Sequence, residues 1–287
     1  AEAIGVQVKL LARGQDVASV ARLAIDEGAQ VLGAAGGDGT ISAVAAVAAD
    51  SNRPLVVIPA GTRNHFARDL GLDITSPVPA VNAFVDGELA RVDLGRVGSR
   101  TFVNNVCFGA YADALLTPGY REAKVRTLAA MAPGYLQGER SIPASLDTPE
   151  GTVEHPQLVL VSNNGYHLAT PRYFGRRFSL ATGLLGGILL KLGAPPPPPE
   201  LLRRLRLLLR DGRQGGVMPP DEAAITWSAA RITLNGTVAK LPAGIDGESV
   251  LLDLPVVCEI RPAALQILLP TGRPGLPPEP IAPGHEA

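Results

Sequence analysis

Two short stretches concentrate the residues that can do chemistry. The first, VLGAAGGDGT at 31 to 40, sets a single carboxylate, Asp38, between Gly37 and Gly39, with Gly36 before them and Thr40 after. Glycines let backbone approach a ligand closely, and a following helix N-terminus supplies free N–H groups and a favourable dipole, a combination suited to phosphate. Asp38 itself cannot contact a phosphate, but it makes sense facing Mg²⁺ or its waters. Asp38 is expected on a solvent-facing loop with an electrostatic role, its loss leaving the fold intact; the alternative is an ordinary strand-to-helix turn with Thr40 as the N-cap of a helix starting near it. The second stretch, IPAGTRNHFARDLGL at 58 to 72, repeats the layout of strand end, Gly-Thr turn and helix. If both loops follow neighbouring parallel strands they converge on one crevice, because an open α/β sheet binds ligands at the carboxyl ends of its strands. Gly61, Thr62 and Asn64 then offer donors to the same nucleotide as Gly36, Gly37, Gly39 and Thr40.

The elements that must position these loops are legible around them. VQVKLLA at 6 to 12, QVLGAA at 30 to 35 and PLVVIP at 54 to 59 are short continuous apolar runs, separated by the helix-like DVASVARLAIDEG and TISAVAAVAAD. This βαβ rhythm predicts buried parallel strands with covering helices. Near residue 92 the grammar changes. VDLGRVGSRTFVNNVCF, VEHPQLVLVSNNG, GGILLKLG and ARITLNGTVAKLPAGIDGESVLLDLP are strand runs closed by Gly, Asn and Pro, which predicts a second, mainly antiparallel β domain. The expected division is an α/β nucleotide-binding domain over 1–91, with 261–275 returning to it, a β-rich domain over 92–260 and a flexible tail over 276–287. The pentaproline at 195 to 199 reads as a stiff connector. The chain opens without Met on what looks like a helix end running into a strand, so an upstream segment is expected.

Composition excludes several classes of function. The 287 residues are 46% hydrophobic and 18% charged, and 26 basic against 27 acidic side chains leave a net charge of −1, so no general affinity for nucleic acid follows. Cys107 and Cys258 lie far apart without CxxC spacing and read as core thiols of a reducing compartment. No apolar run reaches the roughly 18 residues of a spanning helix, and the start lacks the layout of a signal peptide. A cytoplasmic protein is expected.

The ordered set of GGDGT at 36 to 40, PAGTRNHFARDLGL at 59 to 72, VDLGRV at 92 to 97, FVNNVCFGA at 102 to 110, DGE at 246 to 248 and RPAALQILLP at 261 to 270 resembles the diacylglycerol kinase catalytic family, which includes bacterial lipid kinases, ceramide kinases and sphingosine kinases. The resemblance implies a Rossmann-like nucleotide-binding domain, a second β-sandwich domain and ATP in the cleft between them, with Mg²⁺ as cofactor and a lipid hydroxyl at the membrane surface as acceptor. It implies nucleotide binding by Gly36, Gly37, Asp38, Gly39, Thr40 and Thr62. Asp246 or Glu248 becomes the candidate base, alongside Asp38 as a catalytic residue, and Asp38 with Asp93 the remaining carboxylates of an acidic Mg²⁺ cluster. Taking the γ-phosphate with a hydroxyl requires such a base while donors and metal neutralise developing charge. For IDGES the residues alone read equally as a hairpin turn.

The departures from the pattern are informative. His65 stands where many members have a carboxylate, and it is read as a residue of the nucleotide cleft, since one imidazole suits a hard oxygen-liganded ion poorly. NNGYHLATPRYFGRR replaces a glycine-rich run, and Ala181-Thr182 replace an acidic pair, which removes the side chains expected to hold a separate structural Mg²⁺. ELLRRLRLLLR at 200 to 210 would form a helix with a leucine face and Arg203, Arg206 and Arg210 on another, fit for core packing or for an anionic membrane surface. Two other classes stay open: a soluble-substrate kinase resembling NAD kinases, against which stands the lack of a Thr-Gly-Ser-Thr-Ala-Tyr-like loop, and a non-catalytic nucleotide or lipid sensor, suggested by His65 and Ala181. The sequence sets no oligomeric state.

Overall fold

The computed structural model describes residues 5–12, 14–110, 112–113, 140–168, 175–191 and 224–275. The pentaproline, the arginine-leucine run at 200 to 210 and the tail from 276 lie outside the described residues.

Helix α1 (Val17–Asp26) starts where the Asp16 carboxylate accepts the N–H groups of Ala18 and Ser19, satisfying donors that a helix leaves free at its N-terminus. Strand β1 (Leu32–Gly36), helix α2 (Asp38–Asp50) and strand β2 (Leu55–Pro59) complete a parallel βαβ unit. Short helices α3 (His65–Asp69), α4 (Val78–Val81) and α5 (Ala83–Asp86) follow. Ile41, Ala45 and Ala48 of α2 are fully buried against Leu55 and Val57 of β2, so small residues let helix and sheet approach closely. The predicted strand at 6 to 12 is absent: those residues pair with no strand, and Leu10 is 92% exposed. Lys9, within that run, ion-pairs with Glu27 on the surface, and a charge there is incompatible with a doubly covered strand.

From residue 88 the described residues are almost wholly β. Strands β3 (Glu88–Val97), β4 (Arg100–Phe102), β5 (Asn105–Gly109), β6 (Ser145–Thr148), β7 (Gly151–Glu154) and β8 (Leu158–Asn163) come first. Then come β9 (Leu185–Leu190), β10 (Ala224–Ala229), β11 (Arg231–Asn235), β12 (Lys240–Ile245), β13 (Glu248–Asp253) and β14 (Val256–Leu269). One sheet orders β1-β2-β14-β11-β6-β7, with β3 on β14 and β4 on β3; the other orders β10-β9-β8-β5-β12-β13 and is antiparallel throughout. The sandwich expected for the second half is present. Its core of Phe102, Val106, Phe108, Leu146, Val159, Leu185 and Leu234 separates from the α/β core. Both cysteines are free and buried there or beside it, and burial pushes each thiol up to about 12, which keeps them unreactive.

The β3–β14 ribbon ties the two cores. Its early pairs, Cys258 with Val97 through Ile260 with Gly95, belong to the sandwich side, and its late pairs, Leu265 with Val92 through Leu269 with Glu88, flank the α/β core, where Leu94 is also buried and Ile267 pairs in parallel with Leu55. Between Arg261 and Leu265 the register shifts and Ala263 takes φ 49°. Pro262 cannot donate to the ladder, which places the bulge there.

Candidate active site

The parallel register pairs Gly36 with Pro59, so the chain leaves both strands at the same level and the two glycine loops lie side by side. Their contact is backbone on backbone: a Cβ on Gly61 would stand 2.4 Å from Gly37 Cα and 2.8 Å from its nitrogen. Only glycine fits at Gly61. Asn64 shapes the same loop, its Nδ2 donating to Gly61 O at 2.9 Å and its Oδ1 accepting the Gly61 N–H at 3.1 Å. Both ends of that amide are therefore engaged by the loop instead of pointing at a ligand. Helix α2 begins two residues before Thr40, with extended Gly37 as its N-cap and the first helical bond running from Ile41 N to Gly37 O. The expected Thr40 cap is thus corrected; Thr40 folds back over Gly36, where a Cβ would come within 2.8 Å of it. Thr62 is exposed and Gly39 half-buried.

Asp38 is not on a solvent-facing loop. It is 9% exposed, and its carboxylate accepts the N–H of His65 at 3.2 Å and of Phe66 at 3.1 Å. An acid in the first turn of one helix thereby caps the next. His65 Nδ1 lies 3.4 Å from Asp38 Oδ2, with the imidazole half exposed. Burial is the largest influence on the Asp38 carboxyl and pushes it up, but the His65 side chain, the Phe66 N–H and the His65 charge and N–H together outweigh it and hold the carboxyl below the usual range. Asp38 stays ionised.

The DGE turn reaches this loop from the sandwich side. Glu248 is exposed, and a methyl group built on Gly39 would lie 3.1 Å from its Oε1, which sets a free carboxylate against the first turn of α2. Asp246, at φ 47°, has its carboxylate enclosed. It accepts the N–H groups of Val103 at 2.8 Å, Asn104 at 2.9 Å and Asn105 at 3.0 Å. Burial dominates and pushes its carboxyl up despite those donors. Of the two candidate bases, Glu248 has oxygens free to take a proton.

Asp93, expected beside Asp38 in a metal cluster, is buried at 2% exposure and holds the protein together elsewhere. Its Oδ1 accepts the Ala263 N–H of the bulge at 2.8 Å; its Oδ2 accepts Gly183 N–H at 2.7 Å and Asn164 Nδ2 at 2.8 Å. Asn164 also donates to Thr182 Oγ1 at 2.7 Å. The loop that lacks its acidic pair is thus closed by direct hydrogen bonds. Among the described residues no group of three or more His, Cys, Asp or Glu could hold a metal, and Asp38 and Asp93 share no partner.

Sequence reasoning missed the most buried charge. Arg177 is 1% exposed. Its Nε donates to Asp69 at 2.7 Å, Nη1 to Val103 O at 2.7 Å and Asn163 O at 2.9 Å, and Nη2 to Asn104 Oδ1 at 2.7 Å. Burial works against its charge, but Asp69 and Tyr166 outweigh it and raise the guanidinium above its ordinary value. A signal existed: Asp69 follows Phe66 by three residues in α3 and shares its buried face, and a carboxylate there requires a buried partner.

Paired glycine loops at the ends of parallel strands, facing an acidic turn from an antiparallel sandwich, define a two-lobed α/β protein with a phosphate-compatible cleft. Residues 1–97 match the model of the diacylglycerol kinase catalytic domain. The diacylglycerol kinase of Staphylococcus saprophyticus is 34% identical over 131 residues, 45% of this chain and 41% of that protein. That of Bacillus subtilis is 35% identical over 124 residues, 42% of this chain and 40% of that protein. The alignments thus span about two fifths of the curated relatives. A diacylglycerol kinase structure from Bacillus anthracis shares the fold over 93% of this chain and 85% of its own, with TM-score 0.61 at 16% identity.

Proposed function

We propose that the protein is an ATP-dependent kinase that phosphorylates the hydroxyl of diacylglycerol or a related lipid. The observation that carries this reading is the Asp38 bridge: one carboxylate joins the first turn of α2 to the N–H groups that open α3, and so fixes two glycine loops into a single surface beside Glu248. The relatives named diacylglycerol kinase support the same class.

In this mechanism the ATP phosphates lie against Gly39, Thr40 and Thr62, where the α2 N-terminus favours negative charge. The acceptor oxygen attacks the γ-phosphorus, the bond to the β-phosphate oxygen breaks, ADP leaves, and Glu248 takes the hydroxyl proton. Asp38 keeps the two loops in register and His65 stands at their mouth. Mg²⁺, when bound, accompanies the phosphates and neutralises their charge. The enzyme works in the cytoplasm, at the inner membrane face where its lipid resides; no helix among the described residues is long and apolar enough to cross a membrane.

The test is transfer of label from γ-labelled ATP to diacylglycerol in mixed micelles. Glu248→Gln should lower kcat by about 10²-fold or more without weakening ATP binding. Absence of any labelled lipid with the wild-type protein refutes the kinase reading, and undiminished turnover in the variant removes Glu248 from the base role.

A further inference from the structure

Two separate carboxylates hold the two sides of the cleft. On the nucleotide side, Asp38 grips the start of α3. On the acceptor side, Asp246 grips the N–H groups of 103 to 105, and its own N–H returns to Asn105 O at 3.0 Å. Arg177 bonds to both sides. Its guanidinium takes Asp69 at the far end of α3 and, on its other edges, the Val103 carbonyl and the Asn104 side chain. The segment 103 to 105 is therefore clamped by Asp246 through its amides and by Arg177 through its acceptors. Arg68 adds a second tie from α3 to the segment that carries Arg177, donating to Gly175 O at 2.9 Å. The proposed chemistry uses neither Asp69 nor Arg177.

We propose that the buried Asp69–Arg177 pair is a positioning strut, which transmits the placement of α3 to the 103 to 105 segment and so sets where the Asp246 turn presents Glu248 to the nucleotide. The proposal rests on the kinase reading for its kinetic readout. A buried ion pair is weak evidence of stability, because an apolar pair of similar volume often serves as well. Arg177 satisfies four acceptors on three segments with one planar group, an arrangement suited to geometric constraint. A lysine in its place keeps the charge for Asp69 but cannot reach all of these acceptors at once.

The experiment compares wild type, Arg177→Lys and the double variant Asp69→Leu with Arg177→Met. For each, melting temperature, kcat, KM for ATP and amide exchange over 103 to 106 and 246 to 248 are measured. A strut predicts a fall in kcat of about 10²-fold, the cost of an ångström-scale misplacement, with KM for ATP within about twofold of wild type by the same argument. It also predicts faster exchange at 246 to 248 in Arg177→Lys, and in the apolar pair even when its melting temperature matches wild type. Wild-type kcat and wild-type exchange at 246 to 248 in Arg177→Lys overturn the strut. If the wild-type protein transfers no phosphate, the kinase reading fails by itself, and the exchange comparison still decides the strut: unchanged protection at 246 to 248 in Arg177→Lys refutes it.

Discussion

Replacing Asp38 by alanine tests how far a site residue also holds the fold. The side chain accepts two backbone N–H groups at the start of α3, so its removal leaves both without a partner in a part-buried site. Hydrogen bonds to a charged group contribute about 1.5–3 kcal/mol each. Water reaches the half-exposed His65 side, which argues for the lower end, about 3–4 kcal/mol for the pair. At about 2–4 °C per kcal/mol for a chain of this order, Asp38→Ala should melt about 5–15 °C below wild type near neutral pH. The pH dependence has a definite sign. The folded carboxyl is held below its usual value, so its contribution is present above the unfolded-state value of about 3.9 and is lost as pH falls through the depressed folded value. The melting curves of wild type and variant should therefore converge in acid. Thermal unfolding of both proteins across that range, beside lipid-kinase turnover, reads both effects. A variant with wild-type melting temperature at neutral pH, or a gap that persists unchanged in acid, refutes the bridge. Turnover should fall by about 10²-fold, as for the loss of one electrostatic stabiliser.

Gly61→Ala should be among the most damaging small substitutions, because its Cβ would sit 2.4 Å from Gly37 Cα and the loops must separate; ATP affinity equal to wild type would show that the loops do not need this contact. His65→Asp sets a second carboxylate beside Asp38, where Nδ1 now stands 3.4 Å away, so like-charge repulsion should make the melting temperature rise on adding Mg²⁺; identical melting in Mg²⁺ and in chelator defeats that expectation.

What was legible in the sequence was local, and what was hidden was long-range. The GGDGT and PAGT turns, the parallel strands before them and the antiparallel sandwich after them each announce themselves within about a dozen residues, through glycine placement and the period of apolar side chains. The run at 6 to 12 misled because an apolar composition does not itself supply a partner strand, and Lys9 within it was the discordant residue. The carboxylates were found but their duties were not. Asp38, Asp93 and Asp246 look alike in sequence, as single acids within two residues of a glycine. Their roles differ because of donors 28, 170 and 143 positions away: Phe66, Ala263 and Val103.

That distribution of duties explains how the site is assembled with His65 beside Asp38 and with no carboxylate at Ala181-Thr182. A metal site organises a loop by drawing several oxygens to one cation. Here Asp93 draws Gly183, Asn164 and Ala263 to one anion instead, and Asp246 does the same for three successive amides. Inverting the charge at the centre turns the required ligands from acids into backbone N–H groups, which any residue but proline supplies. The sequence around 181 to 184 is thereby released from carrying carboxylates, while the glycine at 183 and the bulge at 262 to 264 remain constrained. On the proposed kinase reading, acidic chemistry falls to the exposed Glu248, the carboxylate in the DGE turn whose oxygens the fold has not already used.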